Sequence, residues 1–198
     1  MQYKKDHIEK NILETARNEF IKKSYSQVSI RNIASKAGVS KSNIYNYFKN
    51  KNELFIEVLQ PVLDQVEIAK KYFIKNKLDI NIYDFEIHME MITGVTPFID
   101  EYRDLISILL FNTHGSSLEN YVDDLIDWFT NKLSYKYSDK DDSQNASINW
   151  FFAHNLAGVW YNFLRETIMH NIKGRELQKS LEKMMFFVYN GIKGVRNH

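Results

Sequence analysis

Residues 41–47 form a short run of hydrogen-bonding and aromatic side chains, Lys-Ser-Asn-Ile-Tyr-Asn-Tyr. Lysine, serine and asparagine donate hydrogen bonds to phosphate oxygens and base edges, and a tyrosine ring packs against a thymine methyl group. A helix that only meets solvent carries Glu and Lys at such positions instead. The run therefore predicts a surface that binds nucleic acid, with an ordinary helical corner as the alternative.

Two short helices must position this run. Ser29 and Ser40 are of the type that caps helix N-termini, and Gly38 tolerates the left-handed backbone that ends a helix. Two short helices joined by an Ala-Gly-Val turn predict a helix-turn-helix. The positions that we expect to face inward are Ile30, Ile33, Ala34, Ala37, Ile44 and Phe48.

A first helix is predicted from about Lys4 to Lys23, because its apolar residues recur on one face. Charge is divided unevenly along the chain. Residues 1–51 carry eleven bases and four acids, a net charge of +7, whereas the remainder carries fifteen bases and twenty-one acids, or −6. A basic head (residues 1–51) on an acidic body (residues 52–198) predicts that only the head meets a polyanion. A solvated lysine-rich surface and a membrane-surface helix are the alternatives.

The composition favours an all-α protein. With the helix-turn-helix pattern, the prediction is an N-terminal three-helix domain joined to a C-terminal helical bundle for ligand binding and dimerisation. Glycine (7) and proline (2) are rare, and 44% of residues are hydrophobic. With no cysteine, the chain has neither thiolate catalysis nor cysteine-ligated zinc. The N-terminus is charged and leads into no signal-like apolar run, so a cytoplasmic protein is expected.

From Ile12 to Leu59 the sequence resembles the DNA-binding domain of the tetracycline-repressor (TetR) family of transcriptional regulators. The resemblance covers about a quarter of the chain. The matching residues are Ala16, Phe20 and Tyr25, then Ser29-x-x-x-Ile33-Ala34-x-x-Ala37-Gly38-Val39-Ser40-Lys41, then Ile44-Tyr45-x-Tyr47-Phe48-x-x-Lys51-x-x-Leu54.

The resemblance and the positions together imply how the head reads DNA, with the second short helix in the major groove. We expect base contacts from Lys41, Ser42 and Tyr45, with Arg31 reaching from the preceding helix. We expect phosphate contacts from Ser29, Asn43, Asn46, Tyr47 and Lys51. Ser29, Ser40 and Asn50 lie at predicted helix starts, where backbone N–H groups favour an anion. For Tyr47, a half-buried core position is the alternative.

Three departures from the family pattern matter. Ser24 replaces a usual glycine, which predicts strain at the end of the first helix. Ser42 and Asn43 replace a common Gly-Thr pair, and Asn46 replaces a frequent histidine. Ser42, Asn43 and Asn46 lie where the operator is read, so the operator of a relative cannot be carried over to this chain.

A fourth helix is predicted to begin at Asn50. In the sequence of the body, start and stop signals predict further helices at about 82–93, 97–113, 117–136, 144–172 and 175–196. Pro61 lies inside the apolar stripe of that fourth helix, where it predicts a kink or a division, either as a pivot or as a simple packing bend. Thr96-Pro97 predicts a helix start. Ser116 and Glu119 predict a capping box.

The resemblance also implies a homodimer, in which residues 144–172 and 175–196 pair with their copies. The alternative is that these two helices fold wholly into the monomer core. It implies an effector cavity as well, for which core packing is the alternative. The candidate lining residues are Phe85, Met89, Phe98, Tyr102, Phe111, Tyr121 and Trp128.

Other functional classes are disfavoured. The chain has no Gly-rich phosphate loop and no nucleophile elbow, and its histidines have no metal-ligand spacing. We therefore expect no catalytic residues, metal or cofactor. The prediction is a homodimeric repressor that a small, largely apolar ligand releases from a palindromic operator, with double-stranded DNA as its partner. A ligand-sensing or interaction protein of the same fold without DNA binding is the alternative.

Overall fold

The described part of the chain consists of helices joined by turns. The computed structural model describes residues 2–75, 85–137 and 149–196, and the side chains of Phe85 and Met89 lie outside that description. The predicted all-α class is confirmed. Within these ranges the elements are α1 (Gln2–Lys22), a 3-10 turn (Tyr25–Gln27), α2 (Ile30–Lys36), α3 (Lys41–Tyr45), α4 (Lys51–Lys75), α5 (Phe85–Glu101), α6 (Arg103–Phe111), α7 (Tyr121–Tyr137), α8 (Trp150–Met169) and α9 (Gly174–Arg196).

The contacts divide the chain into two units. The first comprises Met1–Glu67 and Asp104–Val122, and the second comprises Ile68–Arg103 and Asp123–His198. The first unit therefore contains the helix-turn-helix together with α6 and the segment after it. These units follow contacts within the chain, and the functional boundary between residues 51 and 52 stays a prediction.

The first unit has a continuous apolar core. Ile12 and Phe20 of α1, Ile33 of α2, Ile44 of α3 and Phe55 of α4 are all fully buried. These side chains come from four helices, so each helix contributes one apolar face to a shared interior.

The second unit packs α5 against α9. Its most elaborate polar contact centres on Arg103, which is buried. The guanidinium donates to the backbone oxygens of Thr167 and Ile172 and to Asp100. Asp100 in turn accepts a hydrogen bond from the backbone N–H of Gly174 at 2.8 Å. Arg103 thereby fixes the turn between α8 and α9 to the corner between α5 and α6.

The predicted helix start at Thr96-Pro97 is wrong. Pro97 lies inside α5, which runs unbroken from Phe85 to Glu101. An interior proline costs a helix about 3 kcal/mol, because it removes one hydrogen bond and crowds the preceding turn. Packing of α5 against α9 offsets that cost, with Ile99 buried just past the proline. The predicted single helix over 97–113 is consequently two helices, α5 and α6, that meet at Tyr102.

The predicted capping box at Ser116 and Glu119 is also wrong, because α7 begins at Tyr121. The hydroxyl of Ser116 accepts from the N–H of Leu118 at 3.1 Å. The carboxylate of Glu119 turns back to the backbone N–H of Gly115 and the ring of His114. These bonds lower the pKa of Glu119, chiefly through the hydrogen bond with His114. They leave residues 113–120 as a turn rather than a helix.

Helix α4 passes through Pro61 without division. The helix start predicted at Asn50 is confirmed, since the side-chain oxygen of Asn50 accepts from the N–H of Glu53 at 2.9 Å. Glu53 reciprocates by accepting from the N–H of Lys49. The role of Pro61 as a pivot stays a prediction. Across the described ranges, no helix combines the length and apolar character that crossing a bilayer requires.

Candidate DNA-binding site

Helices α2 and α3 each begin at a capping serine, as predicted. The hydroxyl of Ser29 accepts from the N–H of Asn32 at 3.2 Å, and that of Ser40 accepts from the N–H of Asn43 at 3.1 Å. Gly38 has a φ of +68°, the left-handed conformation that we expected of it. The predicted inward positions Ile30, Ile33, Ala34, Ala37, Ile44 and Phe48 are all buried.

The side chains predicted to read DNA lie mostly at the surface. Lys41, Ser42, Tyr45 and Asn46 are exposed, as is Arg31 on α2. The ammonium of Lys41 lies 5.7 Å from the centre of the Tyr45 ring, which is 44% exposed. Helix α3 therefore presents a cation beside an accessible aromatic face, a combination that suits a guanine edge next to a thymine methyl group.

Asn43 and Tyr47 are half-buried. The ring of Tyr47 lies 6.3 Å from that of Phe48, a core residue. One side of Tyr47 thus belongs to the packing of the first unit. Its hydroxyl was the group expected to reach a phosphate, and that role stays a prediction.

The capping serines retain donor capacity. A cap uses an oxygen lone pair and leaves the hydroxyl hydrogen available to a second acceptor. The oxygens of Ser40 and Ser42 lie 2.9 Å apart and share one hydrogen bond. Ser29 is exposed at the start of α2. Ser29, and one hydroxyl of the Ser40–Ser42 pair, therefore have a hydrogen left to donate to an anionic oxygen.

Lys51 differs from the other candidates, because its ammonium already has partners inside the protein. The ammonium donates to the backbone oxygens of Tyr25 at 2.8 Å and Val28 at 3.1 Å, and it lies 4.0 Å from the centre of the Tyr25 ring. Burial lowers the pKa of Lys51 and raises the pKa of Tyr25. The contact expected between Lys51 and a phosphate competes with these bonds.

The strain expected at Ser24 is absent, and this expectation was wrong. Ser24 has φ −60° and ψ 154°, an extended conformation open to any residue. The chain leaves α1 without a left-handed residue, so a glycine is not required there.

Sequence reasoning missed the residues that surround the 3-10 turn after α1. Asn112 donates from its side-chain amide to the backbone oxygen of Phe20 at 2.8 Å, and its own backbone oxygen accepts from Tyr25. Asn52 and Ser117 exchange two hydrogen bonds. No local signal reveals such contacts, because the partners lie 65 to 92 residues apart in the chain.

This helix-turn-helix has a known counterpart. Residues 12–58 match the family model described as bacterial regulatory proteins, tetR family. This segment is therefore similar to the DNA-binding domain of TetR-family regulators. The match begins at the first residue of the predicted resemblance and ends one residue before its last, so the resemblance inferred from the sequence is confirmed.

Similarity extends to other proteins of known sequence or structure. The chain is 27% identical over 103 residues to the uncharacterized HTH-type transcriptional regulator YdgC of Bacillus subtilis, a match that spans 52% of each chain, or about half the length of YdgC. A Clostridium perfringens structure, a putative fatty acid metabolism regulator, aligns with a TM-score of 0.62 at 21% identity, covering 92% of this chain and 98% of that one.

A further TetR-like fold is that of FadR from Bacillus subtilis, a transcriptional regulator solved in complex with stearoyl-CoA. It aligns with a TM-score of 0.56 at 17% identity and covers 88% of this chain and 96% of that one. At these identities the structural matches establish the fold, which extends through the C-terminal helices as well as the TetR-like head.

The described candidate effector residues are divided between the two contact units, and their role stays a prediction. Phe98 and Tyr102 pack together with ring centres 5.3 Å apart, and Trp128 lies with the ammonium of Lys70 5.7 Å from its ring centre. Phe111 and Tyr121 belong to the other contact unit. The remaining two candidates, Phe85 and Met89, lie on α5 with side chains outside the described residues.

A groove of about 590 Å³ lies along α8 and α9 in the second unit. Within the described part of the chain, its lining includes none of the seven predicted effector residues. The groove is lined by His154, Asn155, Gly158, Val159, Asn162, Phe163, Glu166 and Met184.

Proposed function

We propose that this TetR-family transcriptional regulator is a homodimeric repressor that binds a palindromic operator through its head, residues 1–51. The observation that carries the proposal is the exposed row on α3, where Lys41 and Tyr45 stand beside each other above a buried core. Repression requires only that the bound protein occlude the promoter. The proposed DNA contacts are Ser29, Arg31, Ser40, Lys41, Ser42, Asn43, Tyr45, Asn46 and Tyr47, with Lys51 treated below.

The apolar surface of α8 and α9 supports the homodimer. Phe151 is 70% exposed on α8, and Phe186 and Phe187 are 60% and 73% exposed on α9. Large aromatic side chains at this level of exposure are typical of a protein interface. A two-fold dimer through these helices places two heads on one face of DNA, which is why a palindromic operator is expected.

We propose that residues 52–198 bind a small, largely apolar effector that releases the DNA. The support is the aromatic and methionine content of the body, together with the stearoyl-CoA seen in the FadR structure of similar fold. Release requires only that the effector favour a conformation with lower affinity for the operator. The proposal assigns no catalytic role to the chain.

The proposal is tested by selecting operators from a random duplex library with the full chain and then measuring affinity by fluorescence anisotropy. We expect a palindromic consensus whose half-sites lie about one helical turn apart. No enrichment and no binding to duplex DNA at low salt would instead support an interaction protein of the same fold without DNA binding.

The dimer is tested separately by sedimentation equilibrium, where the mass is expected to be twice 23.5 kDa. Phe187→Glu should give a monomer, whereas Ile68→Glu, at a 57% exposed apolar position on α4, should leave the dimer intact. If both variants remain dimeric, α9 is not the interface.

The effector step is tested by adding stearoyl-CoA or coenzyme A alone to the preformed protein–DNA complex. Stearoyl-CoA should lower the anisotropy signal, while coenzyme A should not. Binding of stearoyl-CoA detected by Trp fluorescence without any change in DNA affinity would contradict release by an apolar ligand.

A further inference from the structure

The ammonium of Lys51, which is half-buried, bonds to the turn after α1. Two of its N–H groups donate to the backbone oxygens of Tyr25 and Val28, at 2.8 and 3.1 Å. The third side of the ammonium meets the Tyr25 ring, whose centre is 4.0 Å away. An ammonium has three donors and no acceptor, so two of its three N–H groups are used within the protein.

The turn that Lys51 holds lies directly before α2. Val28 is buried and precedes Ser29, the N-cap of α2. A bond to the oxygen of Val28 therefore fixes the peptide that joins the turn to the capping residue. The position of Ser29, and of Arg31 as the second residue of α2, depends on that peptide.

The same turn is held from its other side by the segment after α6. The N–H of Tyr25 donates to the oxygen of Asn112 at 2.8 Å, and the N–H of Ser26 donates to the oxygen of His114 at 3.2 Å. The Tyr25 ring packs on Phe55 with ring centres 5.0 Å apart. Lys51 therefore adds two hydrogen bonds to a turn that also bonds to the segment after α6.

A phosphate contact would compete with these two bonds. Hydrogen bonds from an ionised donor are among the stronger ones in proteins, so turning the ammonium away from the carbonyl oxygens has a cost. Lys41 faces no such choice, because its side chain is exposed on α3. Lys49, two residues before Lys51, is exposed as well.

We propose that Lys51 is a positioning residue for DNA binding: its ammonium fixes the turn at residues 25–28, and through it Ser29 and α2, rather than contacting a phosphate. The inference rests on the proposed DNA-binding function. It separates Lys51 from the side chains that we expect to touch DNA.

The salt dependence of DNA affinity distinguishes the two roles, since each phosphate contact contributes a slope of about −0.9 in a plot of log affinity against log salt. With the full chain, Lys51→Met should lower affinity roughly tenfold through the loss of two charge-assisted bonds, with the slope unchanged from about 50 to about 200 mM salt. Lys49→Met is the control for removal of a neighbouring exposed cation. A slope that falls by about 1 in Lys51→Met would overturn the proposal, and so would unchanged affinity.

A double-mutant cycle separates positioning from a loss of stability. At a temperature where circular dichroism shows every variant folded, Lys51→Met and Ser29→Ala should cost less together than the sum of their separate losses, because both act through the start of α2. Lys51→Met and Lys41→Ala should be additive. Additivity in the first pair would contradict action through Ser29.

Reductive methylation of the wild-type protein provides a measurement that needs no variant to fold. Lys51 should react more slowly than Lys49 in the free protein, and operator DNA should change its rate little while protecting Lys41. Protection of Lys51 only when DNA is bound would overturn the proposal. If no duplex binds at all, the proposed function is wrong. Slow methylation of Lys51 in the free protein would still show that its ammonium is bonded to the turn at residues 25–28.

Discussion

The ammonium of Lys36 lies 2.5 Å from Oε1 of Glu19, and the two side chains are 58% and 5% exposed respectively. One partner is in water while the other is inside the first unit, between α1 and α2. The pair is therefore asymmetric, because Lys36 is well solvated without Glu19, whereas Glu19 has lost most of its solvent.

This asymmetry predicts that Lys36→Met destabilises the protein by about 1–3 kcal/mol, the cost of leaving a buried acceptor without its donor. Glu19→Gln should cost less, because the amide oxygen still accepts from Lys36 and carries no buried charge. Urea denaturation measures both. The control is Lys22→Met, at an exposed position on α1, and its free energy of unfolding should stay within about 0.5 kcal/mol of wild type. Equal effects of Lys36→Met and Lys22→Met would show that the pair contributes nothing.

Gly38 predicts a substitution effect that depends on backbone conformation alone. Its φ is +68°, and a Cβ atom added there meets nothing within 4 Å. Gly38→Ala should therefore cost about 1–2 kcal/mol, the penalty of the left-handed region for an L-residue, and Gly38→Asn should cost less. Gly94 in the middle of α5 is the control, also with open space around it. Gly94→Ala should stabilise the protein by about 0.5–1 kcal/mol, and a loss there would contradict this account.

Arg103 predicts a large stability effect in the second unit. Arg103→Met should destabilise the protein by about 2–3 kcal/mol, because it removes the donor of two backbone carbonyl oxygens and the partner of Asp100. Thermal unfolding at constant protein concentration is the measurement. Arg165→Met is the matched control, since Arg165 pairs with Glu166 at 2.8 Å with about two fifths of each side chain exposed. That exposed pair should contribute less than about 1 kcal/mol.

Lys41 predicts a loss of sequence preference rather than of stability. Lys41→Ala should weaken operator binding by about 1–3 kcal/mol and relax one position of the operator, because an exposed lysine at the start of α3 is expected at a guanine edge. Repeating the operator selection with the variant measures this directly. Lys179→Ala, at an exposed position on α9, should change neither quantity. If Lys41→Ala keeps the same sequence preference, the expected placement of α3 on the DNA is wrong.

The sequence alone determined the features that depend on near neighbours in the chain. The caps at Ser29, Ser40 and Asn50 each close a hydrogen bond to a residue three positions on, so residue type and spacing were sufficient to predict them. The left-handed Gly38 follows from the same local logic. The buried positions of α2 and α3 follow from helical periodicity, and with the caps they lie within the segment that matches the family model.

Only the tertiary structure decided where competing partners lie. From the sequence, Lys51 is expected to be a free cation. In the structure, its ammonium donates to the carbonyl oxygen of Tyr25, which is 26 residues away. From the sequence, Pro97 is expected to start a helix. In the structure it lies inside α5, where packing against α9 offsets the cost of an interior proline. The sequence placed Phe98 and Phe111 in one set of candidate effector residues. In the structure they belong to different contact units. In each case the deciding energy comes from groups distant in sequence, and a local pattern carries no information about them.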